Sequence, residues 1–522
     1  MKRYNIIVVG GGLNSLVTAS ILGQSGKNVV LLEAREQIGG LASTSEFYPG
    51  FKCNLINDMV KWIDPRVINK LNLASHGLEL HSPETVRIAL HTQGQHILFH
   101  RDPKKTADSI ANHSEKDAKI WKDFTEYINN LTHLLEKLYE LTPPKMPNVG
   151  LKEVFSMRSM LSPIRKHGLR GLVDFMRVAP MMMPELVDEW FENESLRSAI
   201  STAGIHHLSF GPFAAGTGYN LLHQHIHSNC VFHNGNFVKG GTGNLANALK
   251  LSAESSNVEI RTNTKVTSID VKNGSCNGVI LDGGETIQAD QIVSGLDPNN
   301  TFFNLVGAPE LNPSFATQVR NIKYRGSTAR IHFALNNLPE IRGISEDQMG
   351  TVFSICPTIE YLERASDSVK YGRISENPHV EFTIPSVINP DFAPEGKHVL
   401  SATIQYAPYH LRNLDWSNEL KDQMKNNVVR VLENHITGFS GIIDSSFVLS
   451  PLDMENEFGL TEGNLNHGEM TLDQFFFMRP TMSSTQYKSP IEKLYLCGPG
   501  THPGGGLHGT NGFNAAREIL KQ

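Results

Sequence analysis

The stretch YNIIVVGGGLNSLVTASILGQSGKNVVLLEAREQIGG, Tyr4 to Gly40, leaves fewer folds open than any other part of this sequence. Ile6 to Val9 form an apolar, β-branched run suited to a parallel strand buried on both faces. The turn Gly10-x-Gly12-x-x-Ser15 follows at once. LNSLVTASILGQSG then reads as a helix ending near Gly26, and a second strand, NVVLL, runs into Glu33. Each part has a physical task. The glycines let the backbone approach a pyrophosphate, the helix N-terminus faces its charge, and an acid roughly twenty residues on takes ribose hydroxyls. The unit predicts an α/β chain with a Rossmann-type dinucleotide-binding domain. Ser15 stands where a third glycine normally lets helix and strand pack closely, which predicts a slightly wider packing.

A chain of 522 residues is too long for one ordinary core, so two domains or one large composite are expected. With 39% hydrophobic and 19% charged residues the composition is that of a globular protein, and a net charge of -6 offers no basic face for nucleic acid. No window approaches twenty consecutive apolar residues, so no membrane-spanning helix is expected. Only Met1, Lys2 and Arg3 precede the first strand, which predicts no signal or transit peptide. The five cysteines, Cys53, Cys230, Cys276, Cys356 and Cys497, are scattered and contain no C-x-x-C. They argue against a disulfide scaffold, a zinc site of the usual spacing and a redox dithiol, and point to a reducing, cytoplasmic compartment.

Beyond the acid the sequence runs E-x-R-x-x-x-G-G, Glu33 to Gly40. Arg35 alone leaves a 2′-phosphate, and so NADP, open. The whole arrangement resembles flavoproteins whose FAD lies extended along the domain, with Arg35 packed on the adenosine ribose. At the far end, LYLCGPGTHPGGGLHGTNGFNAAREILKQ breaks an apolar strand into a loop with seven glycines between Gly498 and Gly512, then closes on a short helix. Together with FVKGGTGNLANAL and MTLDQFFFMRP, these segments resemble the phytoene desaturase-like FAD-dependent oxidoreductase superfamily over nearly the whole chain. Within it they resemble the pyridine nucleotide-disulfide oxidoreductase domain-containing protein 2-like branch, a name that matches no dithiol here. MTLDQFFFMRP and the C-terminal segment are the most specific marks.

The resemblance implies FAD as cofactor, held by Gly10, Gly11, Gly12, Leu13, Asn14, Ser15, Glu33, Ala34, Arg35, Gly40, Leu41 and Ala42. It adds Val266, whose backbone serves the adenine, and Gly498, Gly500, Gly509, Thr510 and Asn511 at the flavin end. The closing helix would turn its N-terminus to the flavin pyrimidine ring, where a positive helix end stabilises the anionic reduced form. Pro499 stands where the superfamily often has an acid, so no side-chain bond to the ribitol is expected. CNLIND, Cys53 to Asp58, is expected near the flavin. Its departure from the aspartate–glycine–proline-like pattern of carotenoid enzymes argues against phytoene itself as substrate.

Thr262 to Pro298 reads as a β-meander with turns at Asn273-Gly274 and Asp282-Gly283-Gly284. GGTGNL, Gly240 to Leu245, has no apolar strand before it and reads as a turn capping a helix. The FAD-binding domain, of glutathione-reductase-like topology, is therefore expected in 1–75, 235–300 and 490–522. A mixed α+β substrate domain takes 76–234 and 301–489. In it, SEKDAKIWKDFTEYINNLTHLLEKLYEL predicts a helix capped by Ser114 with Asp117, with an apolar stripe of Trp121, Phe124, Ile128, Leu131, Leu135 and Leu138, stopped by Pro143-Pro144. Met157 to Phe191 mixes Met157, Met160, Met176 and Met181 to Met183 with Arg158, Arg165, Lys166, Arg170 and Arg177. That mixture suits a peripheral membrane contact or the mouth of a substrate tunnel; an ordinary amphipathic helix with core methionines is the other reading.

His223, His225 and His227 would share one face if extended, yet no carboxylate stands near to complete a metal site, so no metal is expected and pocket lining or plain structure is preferred. His502 and His508 flank the glycine turn within expected reach of the flavin, to donate a hydrogen bond, move a proton or only fix the loop. Arg479 is placed either on an anionic or carbonyl group of the substrate or in an inter-domain salt bridge. The expected activity is that of a dehydrogenase or desaturase, with hydride passing from a C–H bond of a hydrophobic small molecule to flavin N5 and electrons leaving to oxygen or a quinone. A redox-neutral isomerase of a conjugated substrate and a non-enzymatic, FAD-containing partner-binding protein stay open beside it.

Overall fold

In the computed structural model residues 3–92, 94–145, 150, 158 and 161–521 are described, the side chains of 161–167 excepted. The apolar first strand, Arg3–Val9, lies between two parallel neighbours, Val29–Leu32 and Thr286–Ser294, with Ile6 opposite Val29 and Ile7 opposite Ile292. It forms the middle of a mixed seven-stranded sheet ordered Val266–Lys272, Ser275–Leu281, Thr286–Ser294, Arg3–Val9, Val29–Leu32, Glu259–Arg261, with Leu494–Leu496 also parallel to Thr286–Ser294. The meander turns where Asn273-Gly274 and Gly283-Gly284 supply left-handed backbone. Both faces of this sheet are covered, so its central strands read as unbroken apolar runs. The helix Leu13–Gln24 packs on it, flanked by Thr242–Ser255 and by the closing helix Thr510–Ile519.

A second seven-stranded sheet has the order Ile443–Leu449, Thr328–Leu335, His398–Gln405, His379–Thr383, Val352–Ile355, Thr85–Ala89, Ile97–His100. Every residue of Thr328–Leu335 is buried, Arg330 and His332 among them, so the polar members of this strand need partners inside the protein. Helices close over one side. In Glu115–Glu140 the Ser114 side chain accepts from Asp117 N, and Trp121, Phe124, Ile128, Leu131 and Leu135 are buried as the stripe requires. The Asp117 carboxylate does not complete a capping box. It accepts from Glu192 N and Asn193 N and so ties down the next turn of chain.

Met157 and Met160 lie outside the described residues, as do the side chains of Arg165 and Lys166. The helix Leu161–Val178 kinks at Gly168 and leaves Leu169, Val173 and Met176 at 73%, 62% and 67% exposure. Met183 is fully buried and Met181 is half-buried against the helical core, so the methionines of this region divide between surface and core. Among the described residues no helix is long and apolar enough to cross a membrane.

Candidate functional site

The first strand ends at Gly10, whose φ of +89° favours glycine, and Gly12 begins the helix Leu13–Gln24 with no side-chain cap and no acid in the first turn. The N–H groups of that turn are left for a ligand, and they suit an anion. A Cβ built on Gly12 would meet no protein atom within 4 Å, because its side of the backbone faces open cavity. Gly11 has a different reason to be glycine. Its N–H donates to Glu33 Oε2 at 2.5 Å, and a Cβ there would lie 2.8 Å from that oxygen. Glu33 Oε1 accepts from Arg35 N at 2.8 Å, which pins the carboxylate beside the loop. Arg35 pairs with Glu457 at 2.7 Å and lies over the Phe458 ring, yet its buried Nη1 has no partner among the described residues. Ser15 packs on Gly295 and Cys497: a Cβ on Gly295 would fall 1.9 Å from Ser15 Oγ. The glycine lost from the helix is thus supplied by the neighbouring strand's end.

A cavity of about 740 Å³ runs from this loop into the space between the two sheets, within the size range of cofactor and substrate sites. Gly10, Gly11, Gly12, Leu13, Asn14, Ser15, Glu33, Ala34, Arg35, Gly40, Leu41 and Val266 all line it. Ala42, Gly498, Gly500, Gly509, Thr510 and Asn511 do not. The bare helix end, the cradle at Gly12, the fixed acid and the unpartnered Arg35 nitrogen together fit one extended dinucleotide such as FAD.

At the other end of the cavity the wall is Gly505 to His508 rather than the closing helix. Two histidines hold this loop. His508 Nε2 and His223 Nε2 both donate to Gly505 O, at 3.1 and 2.9 Å, since the carbonyl can only accept. His508 Nδ1 accepts from Thr510 N, and His223 Nδ1 accepts from Tyr139 OH at 2.7 Å. Both rings are therefore neutral with the proton on Nε2, in keeping with burial that lowers His508 to about 3 and His223 to about 4. His508 also stacks on Trp62, with ring centroids 4.2 Å apart. Its nitrogens are spent on the loop, and none is left to exchange a proton with a ligand.

His502 does not line the cavity. It donates from Nε2 to Leu138 O at 3.1 Å. Arg479 is fully buried, does not line the cavity and forms no ion pair with a carboxylate among the described residues. Its guanidinium donates to the carbonyls of Asn466, Gly468, Glu469 and Pro499 and so sets the loops behind the wall. The stretch at His223, His225 and His227 is not extended. The helix Thr217–Gln224 carries His223 to the cavity, while His225 bonds Leu221 O and His227 faces Glu136.

The residues the sequence did not single out come mainly from the side of the second sheet. Met59, Lys61 and Trp62 line the cavity just beyond CNLIND, whose own Asn57 lines it too, and the adjacent pair His206 and His207 follows the helix Glu194–Ile205. His207 is oriented by Thr328 Oγ1 on Nδ1 at 3.2 Å and by Gln405 Oε1 on its backbone N–H. A lysine inside the otherwise apolar MVKWI was the available signal.

A family model described as "Flavin containing amine oxidoreductase" matches residues 16–520. The pyridine nucleotide-disulfide oxidoreductase domain-containing protein 2 of Rattus norvegicus is 30% identical, covering 99% of this chain and 94% of its own. A component of the limonene dehydrogenase of Castellaniella defragrans is 24% identical, covering 100% and 95%. A lycopene-forming phytoene desaturase of Pantoea ananas is 23% identical, covering 97% and 96%. Among solved structures, cyclohexylamine oxidase from Brevibacterium oxydans shares the fold, with a TM-score of 0.58 at 13% identity over 99% of this chain and 100% of that one.

Proposed function

The chain belongs to the flavin-containing amine oxidoreductase family, and from that premise we propose that it is a dehydrogenase or desaturase acting on a C–H bond of a hydrophobic small molecule. It is an FAD-dependent oxidoreductase. When bound, FAD supplies the hydride acceptor at N5 and passes the electron pair to oxygen or a quinone. In this reading Gly10 to Ser15 and the helix end behind them hold the pyrophosphate. Glu33 and Arg35 hold the adenosine ribose, Val266 flanks the adenine, and Gly40, Leu41, Gly505 and Gly506 border the flavin. Arg479, His223 and His508 keep the last of these loops in place.

The observation that carries the reading is the continuity of one cavity from the dinucleotide loop to a wall of Met59, Val60 and Trp62. Those side chains exclude water and offer apolar surface to a substrate. The relatives named for limonene and phytoene act on hydrocarbons, which supports the same class. The division into 1–75, 235–300 and 490–522 for the cofactor and 76–234 with 301–489 for the substrate is part of the proposal. It is supported by the first sheet drawing strands from the former segments and the second from the latter. A cytoplasmic enzyme that touches membranes through its Leu161–Val178 helix completes it, supported by five free cysteines and by the exposed Leu169, Val173 and Met176.

The test is the visible spectrum of the purified protein, reduced with dithionite without air and then exposed to oxygen or to a quinone. Flavin bands that bleach and return are expected, and the faster acceptor divides oxidase from dehydrogenase. A colourless protein that takes up no added FAD overturns the reading.

A further inference from the structure

Lys61 differs from every charged group around it. The chain is fixed at the residue before it, where Val60 and Asn236 exchange backbone hydrogen bonds at 2.8 and 2.9 Å. Its side chain lines the cavity, and its ammonium makes no hydrogen bond or ion pair among the described residues. The surrounding charges are already matched. Glu381 is taken by Arg87, through Nη1 to Oε1 and through Nη2 to Oε2 at 3.2 Å, with His379 Nε2 3.5 Å away. Asp58 is taken by Arg330 Nη2 at 2.5 Å. Glu381, the carboxylate that acts on the Lys61 amine, is therefore held by Arg87, and among the described residues no carboxylate forms an ion pair with Lys61. Lys61 is half-buried, and a charge partly withdrawn from water is costly unless something pairs with it.

Two more groups line the same cavity, and the Lys61 charge acts on both. The His206 ring, also on the cavity, makes no hydrogen bond among the described residues, and it lies 3.9 Å from the ring of His207. His207 spends Nδ1 on Thr328, and its Nε2 makes no hydrogen bond among the described residues. Burial and the neighbouring cations hold both rings neutral and lower the Lys61 amine to about 7, the direction expected of a cation site without its counter-ion.

We propose that Lys61, assisted by an N–H of His206, binds a carboxylate of the substrate, so that the molecule oxidised is an apolar acid rather than a hydrocarbon. A single ammonium with neutral donors suits one negative charge. An ammonium also takes phosphate, but the bare helix end at Gly12 already provides for the phosphates of a dinucleotide. The apolar surface of Met59, Val60 and Trp62 beside the amine takes the rest of the molecule. This inference rests on the reading of the cavity as the substrate site of a flavin enzyme.

The test compares octanoate with octan-1-ol by titration calorimetry on the flavin-containing protein. Octanoate is expected to bind about tenfold or more tightly, the scale of one charge-assisted bond away from bulk water. Lys61→Met should abolish that preference and Lys61→Arg should keep it. Equal affinity of the two ligands, or a preference that survives Lys61→Met, overturns the proposal. A second measurement needs no variant: in reductive methylation at pH 7 followed by peptide mass mapping, octanoate should protect Lys61 and octan-1-ol should not. Absence of protection overturns it as well. Flavin absorbance recorded on the same samples separates the two ideas. A yellow protein with no carboxylate preference removes this inference and leaves the oxidoreductase standing, whereas a colourless protein with the preference intact keeps the anion site and removes the redox reading.

Discussion

Gly512 shows what a single residue can and cannot announce. Its glycine-rich surroundings suggest a main chain pressed against a cofactor, but what approaches is protein. A Cβ on Gly512 would lie 2.2 Å from Asn14 O, where the closing helix docks on the first one and Gly512 N donates to Asn14 Oδ1 at 3.2 Å. Gly498 likewise meets Gly295 O and Gly505 meets Asn466, so of these glycines only Gly505 and Gly506 also face the cavity. Gly512→Ala is expected to cost about 3 kcal/mol or more, because the contact is with backbone that cannot rotate away. Gly441→Ala, inside the helical turn Phe439–Ile442 with nothing within 4 Å of the added methyl, should be neutral or stabilising by up to about 1 kcal/mol. Thermal melts of the two variants check this; equal melting temperatures would refute it. That glycines were required was legible from composition. Their partners were not, since they lie from tens to hundreds of residues away in the chain.

Elements were legible wherever their cause is local. The strand, glycine turn and helix over Tyr4 to Gly26 and the capped helix Glu115–Glu140 follow from periodicity and capping, and both form as read. The histidine stretch misled because alternation of three like residues mimics a strand. His223 instead stands in a helix buried on every side from Thr217 to His223, a placement set by tertiary packing and not by local alternation. The helix Leu161–Val178 gives a prediction at this scale. Leu169, Val173 and Met176 form an exposed apolar stripe, with Arg170 and Arg177 beside them. The triple variant Leu169→Ser, Val173→Ser, Met176→Ser should bind vesicles of phosphatidylserine and phosphatidylcholine several-fold less well in a sedimentation assay. Its stability should shift by less than about 1 kcal/mol, since these side chains are already in water. A parent protein that stays in the supernatant would remove the membrane contact.

At the scale of the whole molecule the interior is rich in neutral histidines. Burial lowers His207, His223 and His467 to about 4 and His225, His502 and His508 to about 3, against 6.5 for a solvated ring. The unfolded chain therefore binds more protons than the folded one below pH 6.5, and stability falls as pH drops from there, by about 1.4 kcal/mol per unit of depression for each ring that stays neutral. Asp64 and Glu381 act in a lower window. Their carboxyl groups are held below 3.8 and 4.5, so their stabilisation is present above those values and is lost beneath them. The melting temperature should accordingly decline between pH 6.5 and 4.5, before carboxylates contribute; a flat profile over that range would contradict the burial of these rings. By itself the sequence determined the dinucleotide unit, the cofactor class and the boundaries of the strongest helices, because each depends on residues adjacent in the chain. Only the tertiary structure decided that Gly505 is held by two histidines, that Arg479 binds carbonyls, and that Lys61 and His206 line one cavity with no ion pair to Lys61 among the described residues. Those facts depend on which charges and backbones two distant sheets bring into one low-dielectric space, and no local pattern records that sum.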